Sequence, residues 1–134
     1  MEKIELKFNE GTKIMVVEDD KFLAQLLAKK MVGSGAFVLY AYNGEEALRM
    51  LEKEIPSLVL LDILLPGIDG FEVLKRMKAN EKWKNIPVIV LSNFGSDEQI
   101  KTGQQLGVDN YLIKATVTTD EILKEIKNIL DKKK

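Results

Sequence analysis

The chain has 134 residues, 46% apolar and 31% charged, and its 20 basic residues nearly balance 21 acidic ones. That length buries one core without staples, so one domain is expected, and the balanced charge offers no positive field to collect nucleic acid. There is no Cys and no His, which excludes a disulfide framework, thiolate chemistry and the commonest general base; no apolar run approaches the roughly 20 residues of a membrane span. A cytoplasmic protein with no direct nucleic-acid or membrane contact is the expectation.

Residues 1–12 read as an N-terminal extension, an extra strand or a tail, with Ile4, Leu6 and Phe8 in alternation; residues 13–132 read as the domain. Residues 13–17 are a first strand, and Asp20 starts a helix with Phe22, Leu23, Leu26, Leu27 and Met31 at helical spacing. Residues 37–40 form a second strand of edge character, followed by a helix that Asn43 caps and that carries Ala47, Leu48 and Leu51. A third strand, residues 58–61, ends at Asp62 and a tight Pro66-Gly67 turn, and Gly70 precedes a helix with Phe71, Val73, Leu74 and Met77. Residues 87–91 form a fourth strand. Ser96 and Gln99 then have capping-box spacing before a weaker helix that Gly107 ends. Residues 111–113 form the fifth strand, and Thr118 with Glu121 repeats the box before a last helix. Its apolar face is Ile122, Leu123, Ile126, Ile129 and Leu130, and the closing lysines suit the negative end of its dipole.

The first, third and fourth strands are continuously apolar, the pattern of strands buried on both faces of a parallel sheet. Five strand-helix units in a row, joined by right-handed crossovers, predict an α/β doubly wound sheet, a flavodoxin-like three-layer sandwich.

Ligands of such sheets bind beyond the carboxyl ends of the strands. Four of the five ends carry chemistry: Glu18-Asp19-Asp20, Asp62, Ser92 and Lys114. Carboxylates converging within about 4–5 Å repel by about 4 kcal/mol per pair at an effective dielectric near 20, and a hard divalent cation relieves this. Oxygen ligands without His or Cys select magnesium, with manganese as a substitute. Such a site suits phosphoryl transfer, which needs in-line positioning and neutralised oxygens. Asp62, alone at the end of the central strand, is the expected nucleophile and yields an acyl phosphate. Ser92 is placed to donate a hydrogen bond to the phosphoryl group and Lys114 to pair with it. Singly these residues read as helix caps, a turn serine and a solvated lysine; together they read as a site.

Val17-Glu18-Asp19-Asp20, the run from Leu61-Asp62 through Pro66-Gly67 to Asp69-Gly70, Leu91-Ser92 and Tyr111-Leu112-Ile113-Lys114 together resemble bacterial response-regulator receiver domains over about residues 13–130. The resemblance implies that Asp62 is the phosphoacceptor, Asp19 a direct metal ligand, Glu18 a ligand acting through water and Leu64 a contributor of its backbone carbonyl. It makes Ser92 the hydroxyl that swings toward the phosphoryl group, Tyr111 the aromatic that changes rotamer with it, and Lys114 the lysine of the family motif. It also implies a phosphohistidine donor on a sensor histidine kinase or transfer domain, an output face of fourth helix, fifth strand and fifth helix and a downstream protein partner, and it leaves phosphorylation-dependent homodimerisation open. The domain would be regulatory, its only reactions being phosphotransfer to itself and slow loss of phosphate.

Three positions depart from the family pattern. Ala115 follows Lys114 where a cis proline is usual, and a cis bond before alanine costs about 3–4 kcal/mol, so either a trans bond with a reshaped loop or a strained cis bond is expected. Asn93 stands where a small residue is usual, and Leu64 puts an apolar side chain where attacking water would line up, which points to slow autodephosphorylation. The same departures favour, as the alternative, a pseudo-receiver that binds partners without phosphate. An aspartyl-phosphate phosphohydrolase would pair two aspartates two residues apart, whereas Ile63 and Leu64 follow Asp62. A flavin carrier would need a hydroxyl-rich loop after the first strand, and that loop is acidic.

Overall fold

The computed structural model describes residues 6–133. In chain order it contains β1 (Lys13–Val17), α1 (Lys21–Gly33), β2 (Phe37–Ala41), α2 (Gly44–Lys53), β3 (Leu58–Leu61), α3 (Gly70–Lys78), β4 (Val88–Ser92), α4 (Asp97–Gln105), β5 (Asn110–Ile113), a 3-10 turn (Lys114–Thr116) and α5 (Thr119–Lys132). The strands form one parallel sheet in the order β2-β1-β3-β4-β5. This is the doubly wound, flavodoxin-like sandwich that the alternating periodicities predict, with β2 on an edge.

Strand side chains alternate between two cores because successive residues point to opposite faces. Ile14, Val16, Leu58, Leu60, Ile89 and Leu91 pack with Leu27 and Met31 of α1 and with Ile122 and Ile126 of α5. Met15, Val17, Val59, Leu61 and Val88 pack with Leu51 of α2 and with Val73, Leu74 and Met77 of α3. Both faces of β1, β3 and β4 are therefore buried, which is why these strands read as unbroken apolar runs. The register sets Val17 beside Leu61, Leu61 beside Val90 and Ser92 beside Ile113, so the residues that follow β1 and β3 emerge together at one rim.

The helix starts follow the capping chemistry. Asp20 accepts from Leu23 N at 3.2 Å and Asn43 from Glu46 N at 2.8 Å. Ser96 with Gln99 and Thr118 with Glu121 form complete capping boxes. One start differs from the sequence reading: Asp69 caps α3, and Gly70 is its first residue rather than the residue before it. A Cβ on Gly70 would collide with the Asp62 carbonyl oxygen and lie 2.8 Å from Ile63 Cα, so only glycine lets α3 begin this close to the end of β3.

Of the alternating N-terminal residues, Ile4 lies outside the described residues, and Leu6 and Phe8 belong to no strand. Phe8 is nonetheless only 7% exposed, buried against the core between the sheet, α1 and α5, and its N–H donates to Ser34 O at 2.8 Å. No helix among the described residues is long and apolar enough to cross a membrane.

Candidate functional site

Asp62 follows β3 directly and is 4% exposed. Its backbone N–H donates to Val17 O, tying it to β1, while its side-chain Oδ1 accepts from Ile63 N at 2.7 Å and Leu64 N at 3.3 Å. Two local N–H donors thus hold the carboxylate in one orientation. Glu18 follows β1 directly and is 2% exposed; its Oε2 accepts from Asp20 N at 3.0 Å, and its carbonyl accepts from Tyr40 Oη–H at 2.9 Å. Asp19, beside it, is exposed. Carboxylate oxygens of Glu18, Asp19 and Asp62 lie within 4.8 Å of one another.

Lys114 answers this charge. Its Nζ lies 2.6 Å from Glu18 Oε1 and 2.7 Å from Asp62 Oδ2. The chain between Lys114 and Ala115 is trans, with no cis peptide bond among the described residues, and a one-turn 3-10 helix begins at Lys114. The reshaped loop therefore still delivers the ammonium to Asp62.

Burial and the Lys114 ion pairs oppose one another in the titration of Glu18 and Lys114. Burial pushes the Glu18 carboxyl up from 4.5 to about 7, against the opposing pull of Lys114. Burial alone would lower the Lys114 ammonium, but hydrogen bonds to Asp62 and Glu18 outweigh it and hold the group above its ordinary value. Tyr40 is pushed up to about 12, chiefly by burial. Burial and the charge of Asp62 also raise the Tyr111 hydroxyl.

Ser92 is fully buried at the end of β4, and its Oγ accepts from Phe94 N at 3.2 Å, so the hydroxyl is turned into its own loop. Tyr111 Oη–H donates to Phe94 O, from the neighbouring strand. Leu64 is 55% exposed, two residues beyond Asp62. Of the expected site residues, then, Glu18, Asp19, Asp62 and Lys114 converge directly, while Ser92 and Tyr111 meet on the loop after β4.

Two residues that matter to this geometry carry no sequence signal for it. Glu45, in the first turn of α2, accepts from Ile68 N at 3.0 Å, and those backbone bonds hold its carboxyl below the ordinary carboxylate range. It pins the turn at Gly67, where φ is +78° and glycine is favoured. Nothing local to Glu45 in the sequence points to a partner in the loop after β3. Gly70, likewise, reads as a helix-start glycine until the backbone of Asp62 is seen against it.

The donor set fits a hard divalent cation: three carboxylates, oxygen only, with two of them buried. A cleft of about 710 Å³ lined by Leu51, Glu54, Ile55 and Trp83 lies at the carboxyl ends of α2 and α3, away from this chemistry, and holds none of these acids.

A family model described as "Response regulator receiver domain" matches residues 14–127. The chain is 37% identical over 106 residues to the "Probable transcriptional regulator ycf27" of Pyropia yezoensis, covering 79% of this chain and 42% of that protein. It spans about two-fifths of the length of the first such curated relatives. Among solved structures, the Francisella response regulator 1452 receiver domain superposes with a TM-score of 0.84 at 30% identity, covering 92% of this chain and all of that one. A two-component response regulator from Clostridium difficile superposes with a TM-score of 0.83 at 28% identity, covering 90% and 96%.

Proposed function

Because this chain belongs to the response regulator receiver domain family, we propose that it is a phosphorylation switch whose acceptor is Asp62. The observation that carries this reading is the convergence of Asp62, Glu18 and Asp19 within 4.8 Å, with Lys114 on Asp62 at 2.7 Å. The carboxylate attacks the phosphorus of a partner's phosphohistidine; a P–O bond to Asp62 forms, the P–N bond breaks, and the imidazole leaves with its electron pair and takes a proton from solvent. The N–H groups of Ile63 and Leu64 keep the carboxylate aimed, and Lys114 faces the oxygens on which charge develops. Asp19 and Asp62 would hold magnesium directly, with Glu18 acting through water and Leu64 offering its carbonyl. When bound, that ion neutralises the phosphoryl oxygens.

Ser92 leaves Phe94 N to donate to the phosphoryl group, and Tyr111 follows through its bond to Phe94 O. One new charged group then shifts the population of a two-state domain, read by a downstream protein on the face of α4, β5 and α5 or by a second copy. The near balance of charge supports a chain that itself contacts no nucleic acid, while its longer curated relatives are named as transcriptional regulators.

Incubation with magnesium and acetyl phosphate, followed by intact mass, tests the reading. Wild type should gain one phosphoryl group and Asp62→Asn none. An unmodified wild type would favour a protein-binding module that works without phosphate, and an adduct on Asp62→Asn would mean a different nucleophile. Asp19→Ala should abolish the rise in thermal midpoint that magnesium gives by binding only the folded chain.

A further inference from the structure

The loop after β4 lies flat along β5. A Cβ on Gly95 would strike the Ile113 side chain, and Phe94 O accepts from Tyr111 Oη–H. Asn93 reaches one step further. Its Oδ1 accepts from Ala115 N at 3.0 Å, inside the turn that opens with Lys114.

This bond meets a need of the turn. The first N–H groups of a short helix have no acceptor within it, and the residue before this one, Ile113, makes no side-chain cap. The acceptor comes instead from a loop 22 residues earlier in the chain. It comes from the residue next to Ser92, and it lands on the residue next to Lys114. The loop that carries Ser92 and the turn that carries Lys114, whose ammonium lies on Asp62, are therefore joined through one side-chain hydrogen bond.

We propose, resting on the reading of Asp62 as phosphoacceptor, that Asn93 is a positioning residue: by capping the turn at Ala115 it holds Lys114 on Asp62 and ties that lysine to the loop that carries Ser92. Asn93 and Ala115 are both exposed, so the bond adds nothing to the core, and its removal should leave the fold intact. Its role is to fix where the backbone of Lys114 leaves β5, and with it the reach of the ammonium. Movement of Ser92 toward a phosphoryl group draws on the same bond.

The test compares wild type, Asn93→Ala and Asn93→Asp, the last keeping an oxygen acceptor for the Ala115 N–H. Amide hydrogen exchange at Ala115 reads the cap, and the rate of phosphorylation by acetyl phosphate at saturating magnesium reads the positioning. Asn93→Ala should speed Ala115 exchange and slow phosphorylation about three- to tenfold, the share expected of one lost hydrogen bond, with half-saturating magnesium unchanged. Asn93→Asp should keep the slow exchange and lie nearer the wild-type rate. Phosphorylation of Asn93→Ala at the wild-type rate would overturn the proposal, as would an Asn93→Asp variant that is protected at Ala115 yet as slow as Asn93→Ala. A wild type that takes no phosphate fails the reading of Asp62 itself, a separate result.

Discussion

Lys114 pairs one positive charge with two buried carboxylates, and burial shifts Glu18. Its carboxyl is pushed from 4.5 to about 7, so the folded chain keeps a proton where the unfolded chain has lost it. The stabilisation from this group is complete below pH 4.5 and is lost as pH rises through about 7. Lys114 is shifted upward from 10.5, so its own share disappears only in strongly alkaline solution, outside that window. In metal-free buffer the calorimetric midpoint should carry a downward slope between pH 4.5 and 7 from Glu18, and Glu18→Gln should flatten it; a slope indifferent to the substitution refutes the assignment. Leu64 bears on the proposed loss of phosphate. Its exposed apolar side chain, two residues past Asp62, offers water nothing to bond, so a long-lived phosphoryl group is expected. Leu64→Asn should shorten that lifetime, read as decay of the phosphate adduct after the donor is removed.

At the scale of elements, α3 begins against the backbone of Asp62 rather than near it. Gly70 lets the first turn touch the backbone of Asp62 and Ile63. Gly70→Ala must push either the helix or the end of β3 aside, and overpacking of this kind costs about 1–3 kcal/mol. Urea denaturation should show that loss, and phosphorylation should slow beyond what an equally destabilised variant remote from the site shows. The helix α4 is held differently: Gly103 is its one buried residue, lying under the Tyr111 ring. An element with so little buried apolar surface repacks at small cost, which suits the output face proposed for it together with β5 and α5.

Across the whole molecule, the N-terminal segment is joined to the core through Phe8, and we propose that the folded unit begins no later than that residue. Phe8→Ala should cost about 3–5 kcal/mol, a fall in thermal midpoint of about 10 °C or more, with phosphorylation of the remaining folded protein unchanged; a shift under a degree would detach Phe8 from the fold. The sheet, its edge at β2, the helix caps other than that of α3, and the convergence of Glu18, Asp19, Asp62 and Lys114 at one rim were legible in sequence. Periodicity and capping are local, and the ends of parallel strands meet wherever the register brings them level. Long-range partners were not legible: Phe8 in the core, Glu45 on Ile68 N, Gly70 against Asp62 and Asn93 on Ala115 N each join segments whose own residues give no sign of the other. Ala115 could be read as a departure from the family pattern, but its N–H found an acceptor only when two loops, from β4 and β5, were folded side by side. The sequence alone determined which groups stand at the strand ends, since that follows from each residue's neighbours. Tertiary structure alone decided how those groups are held, since a hydrogen bond between distant segments depends on where the whole sheet has carried them.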